Sequence, residues 1–221
     1  MRLPIALTVF TLAAVLAFMS TDDASAQQPK PTTRLSGAEL KAKPHADKAL
    51  LLIAQSKWKE AYDEILAAND LSLGWVFMGE DSYSGGKIVI INTDEFANPK
   101  AGITRLRSAF DTLTREFASL REEVEGLQKK AEAMPAGKER KALEKELDNK
   151  RRDGQRRLDA RVKELTGPIY QDIGNELSSF CKEKEISLVV DVSKPLGVPF
   201  AGAGLTNVTD DFVAEYNKKH P

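Results

Sequence analysis

Residues 103–131 read ITRLRSAFDTLTREFASLREEVEGLQKKA, and their spacing decides the fold. Ile103, Leu106, Phe110, Leu113, Phe117, Leu120, Val124, Leu127 and Ala131 are separated alternately by 3 and 4 residues. That is an unbroken a/d seam over four heptads, the pattern of a coiled-coil helix. Charged triplets such as Arg121-Glu122-Glu123 fill the positions between. Asn98-Pro99 supplies an N-cap and a proline suited to a first helical turn.

Past Met134-Pro135-Ala136-Gly137 the chain turns back. Leu143, Leu147, Leu158, Val162, Leu165, Ile169, Ile173, Leu177 and Phe180 keep one apolar face. Between Leu147 and Leu158 that face holds no large apolar residue, and charges fill it. Gly154 and Gly167-Pro168 interrupt it, and a proline inside a helix predicts a bend near 167. The reading is two long helices joined at 134–138, the outgoing one about 50 Å long at 1.5 Å per residue. A domain of this size cannot bury both along their whole length, so they project or pack on another chain.

Strands flank this hairpin. Lys87–Asn92 (Lys-Ile-Val-Ile-Ile-Asn) is β-branched and reads as buried on both faces. Ile186–Val192 is a second strand, and Leu73–Met78 is a candidate third. Residues 194–204 are rich in Pro and Gly and read as a loop or a short edge hairpin. Thr206–Asp210 caps a last helix with Phe212, Val213 and Tyr216 on its apolar side and Lys218 and Lys219 in its final turn. Upstream, 46–68 predicts one amphipathic helix with Leu51, Ala54, Trp58, Ala61, Tyr62 and Ile65 on one face. Ala49, Trp58, Ala61 and Tyr62 carry a tetratricopeptide-like spacing, but one copy is not a repeat.

The fold class is therefore α+β: a small β-sheet body, shared between protomers, and a protruding helical coiled-coil hairpin. Its expected parts are a signal peptide at 1–26, a disordered linker at 27–45 and a helical extension at 46–80. The β body with its terminal helix takes 81–98 and 185–221, and the hairpin arm takes 99–184. Two or three strands are too few to stand alone, which predicts that several chains pool them.

The N-terminus places the chain in a compartment. Arg2, an apolar run from Leu3 to Met19, and Ala24-Ser25-Ala26 form an n-region, an h-region and a cleavage site. Cleavage after Ala26 and export to the periplasm follow; the alternative is an uncleaved anchor. Losing Arg2 against Asp22 and Asp23 takes 32 basic and 33 acidic residues to 31 of each. The charge is uneven, since 100–170 holds 18 Lys or Arg and 13 Asp or Glu. Lys150, Arg151, Arg152, Arg156 and Arg157 form the densest basic patch, either a solvated face or a candidate contact for an anionic partner. A neutral exported chain does not suit nucleic acid.

Chemistry-bearing motifs are few. One cysteine, Cys181, excludes an internal disulfide and reads as a small buried hydrophobe, and two histidines make a zinc site improbable. Gly86-Lys87 is no phosphate loop, because Asp81 and Ile88 stand where Gly and Ser or Thr are required. Asp94, Glu95 and Asp191 sit at strand ends but lack a nearby histidine, nucleophile or ligand set, and read as capping and turn residues.

The order signal peptide, Lys87-Ile-Val-Ile-Ile-Asn-Thr-Asp-Glu-Phe96, charged hairpin, Ile186-Ser-Leu-Val-Val-Asp191 and Val208-Thr-Asp-Asp-Phe212 resembles the Skp/OmpH family of periplasmic chaperones. The resemblance implies a homotrimer in which a β body holds the chains and the arms enclose unfolded outer-membrane proteins. It implies an ATP-independent holdase, no enzyme and no cofactor. Two departures stand out: the mature chain is neutral where the family is basic, and 27–80 has no family counterpart. The rival reading is a coiled-coil envelope scaffold without clients; the flanking strands, which a spacer does not need, speak against it.

Overall fold

A computed structural model describes residues 35–78, 83 and 85–221, so the expected signal peptide at 1–26 lies outside the described residues. Two compact units emerge. One holds the residues up to Gly102 together with Gly174–His220, and the other holds Ile103–Ile173.

The first unit opens with helix α1 (Gly37–Ala54) and helix α2 (Trp58–Leu71). Ser36 starts α1 with a capping box: its hydroxyl accepts from the Glu39 amide at 3.2 Å, and its own amide donates to the Glu39 carboxylate at 2.6 Å. The expected linker at 27–45 is thus helical from Gly37 onward, and the single helix expected over 46–68 is two. Pro44, the apparent breaker, lies on the exposed side of α1 and removes one backbone bond without ending the helix. The true break comes at Gln55-Ser56-Lys57, where Ser56 takes a left-handed φ of 58°.

Among the described residues four strands follow. They are β1 (Val76–Met78), β2 (Lys87–Ile91), β3 (Ile186–Asp191) and β4 (Thr206–Asn207), in the spatial order β1-β3-β2-β4. β3 pairs parallel with β2 and antiparallel with β1, while β4 pairs parallel with β2. Ile88–Ile91 and all of β3 are buried, as the unbroken apolar run of the first and the Leu188–Val190 run of the second require. A 3₁₀ turn, Val198–Gly202, occupies the stretch read as a loop or hairpin.

Alternation divides the sheet into two faces. Ile88, Ile90, Leu188 and Val190 share one core with Trp75, Phe200 and the buried sides of α1 and α2. Those sides are Ala42, Ala46, Ala49 and Ile53 on α1 and Ala61, Tyr62, Ile65 and Ala68 on α2. Small side chains let the two helices approach closely. The sheet is therefore larger than expected, and this face is covered within the chain. Of the face expected for the single helix, Leu51, Ala54 and Trp58 are exposed, because the break at 55–57 resets the helical register.

The same unit buries a run of rings. Phe212, on helix α5 (Thr209–Lys219), lies 5.5 Å from Phe96 and 5.6 Å from Phe180, ring centre to ring centre. Asp191 ties strand ends together. Its carboxylate accepts from the Thr93 hydroxyl at 2.6 Å, the Thr93 amide at 3.2 Å and the Ser193 amide at 2.9 Å. The chain then passes so close that a Cβ on Gly197 would fall 1.9 Å from the Asp191 carbonyl oxygen.

Candidate functional site: the helical hairpin

The second unit is built from α3 (Thr104–Ala133) and most of α4 (Lys138–Glu183). Arg105 pairs with Asp172, Glu116 with Arg161 and Glu123 with Lys150. Numbers rise on one helix as they fall on the other, so the two run antiparallel. The nine seam residues run from Ile103, the N-cap, to Ala131, and each is buried or half-buried, as the heptads predict; the helix start expected at Asn98-Pro99 is a turn, and α3 begins at Thr104. The bend expected near 167 does not break α4, which remains helical through Gly167 and Pro168. Around that point the Thr166 hydroxyl donates to the Val162 carbonyl at 2.8 Å.

The gap between Leu147 and Leu158 is filled from the opposite helix. Gly154 is buried, and a Cβ there would lie 2.8 Å from Leu120 Cδ2. Leu120 thus occupies the space that a side chain at 154 would have taken, a contact that a search for apolar residues on α4 alone misses. The remaining polar seam positions are paired across the hairpin. Lys150 meets the Glu123 carboxylate, and Arg151 Nη2 donates to Gln128 Oε1 at 2.7 Å. Arg161 grips Glu116 with two bonds, Nε at 2.8 Å and Nη2 at 2.7 Å. That fork holds the Glu116 carboxyl below its usual range and raises the Arg161 guanidinium above its own.

The five residues of the sequence-level basic patch therefore separate. Lys150 and Arg151 reach across to α3. Arg152 is exposed and donates to Asn149 Oδ1 at 2.8 Å, Arg156 is exposed beside Asp153 at 3.5 Å, and Arg157 is exposed. A different set lines up. Lys138, Lys141, Lys145, Arg152, Arg156 and Lys163 are all exposed, and their spacing of 3, 4, 7, 4 and 7 puts them on one side of α4, away from the seam. Counting heptad positions outward from Leu147 and Leu158 would have found this row; counting charge density found the cluster instead.

The strand-end acidic residues have structural contacts. Asp191 is committed to Thr93 and Ser193, Glu95 accepts from Asn98 Nδ2 at 2.7 Å, and the Asp94 amide is held by Asn92 Oδ1 at 3.2 Å. Among the described residues no group of His, Cys, Asp or Glu could hold a metal ion, and no helix is long and apolar enough to cross a membrane.

Residues 90–216 match the family described as outer membrane protein (OmpH-like), more than half of the chain. No curated protein and no solved structure matches it. The matched region takes in the hairpin, β3, β4 and most of α5, and leaves α1, α2 and β1 outside. At the level of the family it supports a periplasmic chaperone of outer-membrane proteins, and members of the family are chaperones and not enzymes. The seam, the end of β2, all of β3 and most of the last helix thus fall within one matched region, and this chain belongs to the OmpH-like outer membrane protein family.

Proposed function

We propose that this chain is an ATP-independent periplasmic holdase that binds unfolded outer-membrane proteins and keeps them from aggregating. The observation that carries the reading is the incomplete burial of the hairpin seam. Phe110, Phe117, Leu120 and Leu127 on α3, with Val162 and Leu165 on α4, are only half-buried. Apolar surface is thus offered at intervals along a long rod, in a form suited to many sequences, since burial of apolar area is non-directional. A gain of about 25 cal/mol per Å² accumulates over a long unstructured client without any single strong contact.

The outward basic row supports a second attraction. Six cations on one side draw acidic segments, and make contact with anionic lipid the natural secondary role, weakened by salt. Export after cleavage at Ala26 and assembly as a homotrimer complete the reading. Both rest on the signal-peptide pattern and the family resemblance.

Dilution of a urea-denatured outer-membrane barrel protein into mature 27–221, without nucleotide, tests it. Suppressed aggregation, saturating near about three chains per client, is the expected result for a closed trimer. No suppression by a sample shown to be folded would overturn it and leave the coiled-coil scaffold as the better reading.

A further inference from the structure

Apolar burial in the hairpin thins toward its loop. Seven apolar side chains are buried across 103–120 and 158–173, but only Val124, Ala131 and Leu147 across 121–157. Within that segment the links between helices are polar, Lys150 to Glu123 and Arg151 to Gln128, and the Glu116–Arg161 fork stands at its border. These groups are partly exposed, so salt weakens the ionic pairs. The segment also holds two helix-weakening glycines. Packing against Leu120 explains Gly154, but a Cβ on Gly126 would meet nothing within 4 Å.

We propose that residues 121–157 are a separately opening segment of the hairpin. At raised ionic strength its two helices part from the loop end, while 103–117 and 161–173 stay paired. Parting presents Val124, Leu127, Leu143 and Leu147 to an unfolded chain. This use of the segment rests on the holdase reading; the opening does not.

Amide hydrogen exchange on the whole mature chain, at about 0.02 M and about 0.5 M salt, tests the opening. Exchange in 121–157 should rise about three- to fivefold with salt while 104–117 and 161–173 change less than about twofold. Replacing the ionic link by an apolar one, Glu123→Leu with Lys150→Leu, should remove the response. Gly126→Ala, which has no fold to lose, should slow exchange in the segment at both salts. A uniform response along the hairpin, no response, or a response that survives the double substitution would each overturn the opening. In the aggregation assay the Leu pair should suppress less than wild type, and equal suppression would overturn the use. If wild type itself fails to suppress, the holdase reading falls and the exchange data still decide the opening.

Discussion

Both the pair α1–α2 and the pair α3–α4 fold a helix back on its neighbour, yet they are held by opposite means. α1 turns Ala42, Ala46 and Ala49 inward and leaves Leu40 and Leu51 at 59% and 65% exposed. Its stability comes from what lies beneath, a face of the sheet with Trp75, Phe200 and the large side chains of α2. α3 carries a full heptad seam, but within its own unit only α4 is there to cover it, and several seam residues stay half-buried. Apolar periodicity therefore reports which residues face a partner helix. It does not report how dry the contact is, and a dry contact can form from alanines, which repeat at 42, 46 and 49 with helical spacing but carry little apolar surface.

The largest expected effect lies in the sheet unit. Phe212→Ala removes the ring that touches Phe96, Phe180 and Tyr216 and should cost about 3–5 kcal/mol in urea unfolding. Phe117→Ala, at a half-buried seam position, should cost about 1 kcal/mol. Equal losses would erase the distinction between the two regions. Cys181 probes the same dry core without mutation. Burial pushes its thiol up to about 11, so it should react with a thiol reagent at neutral pH roughly 100-fold more slowly than a free cysteine until the chain unfolds.

A smaller effect sharpens the picture of the hairpin. Gly126→Ala should raise its stability by about 1 kcal/mol, since helix propensity is gained and no neighbour is displaced. Gly154→Ala should come out near zero in thermal unfolding, because the same gain is opposed by crowding of Leu120. A clear gain at both positions would mean that Leu120 moves aside freely and the seam is looser than it stands.

The parts legible in the sequence are those with a repeating physical cause. The seam of α3 is readable because nine residues obey one spacing, and the two central strands because runs rich in Ile and Val suit strands buried on both faces. α1 is obscured by Pro44, which occupies a surface position of an otherwise capped helix, and by a buried stripe of alanine. Leu51 and Trp58 read as core because one continuous helix would align them with Ile65; the left-handed Ser56 ends that alignment. The Leu120–Gly154 contact and the sorting of basic side chains into crossing and outward sets depend on the register between two helices. One helix's pattern does not contain that register.

The smallest effect concerns how α1 is fastened. Glu64 of α2 accepts from Lys48 at 2.5 Å and contacts His45 Nδ1 at 2.7 Å, both on α1. Its carboxyl lies below the usual carboxylate range, through the Lys48 hydrogen bond first and the His45 bond second. A depressed carboxyl contributes stability above its unfolded value, and that contribution disappears as pH falls through the folded one. The Glu64 link should therefore hold near neutrality and weaken below about pH 4.5. Glu64→Gln should remove this part of the acid sensitivity and cost at most about 1 kcal/mol at neutral pH, because the pair is near the surface. Amide exchange in α1, followed from pH 7 downward, distinguishes the cases. If the substituted chain and wild type lose protection in parallel, alanine packing alone fastens α1, and the contrast with the ion-linked hairpin becomes complete.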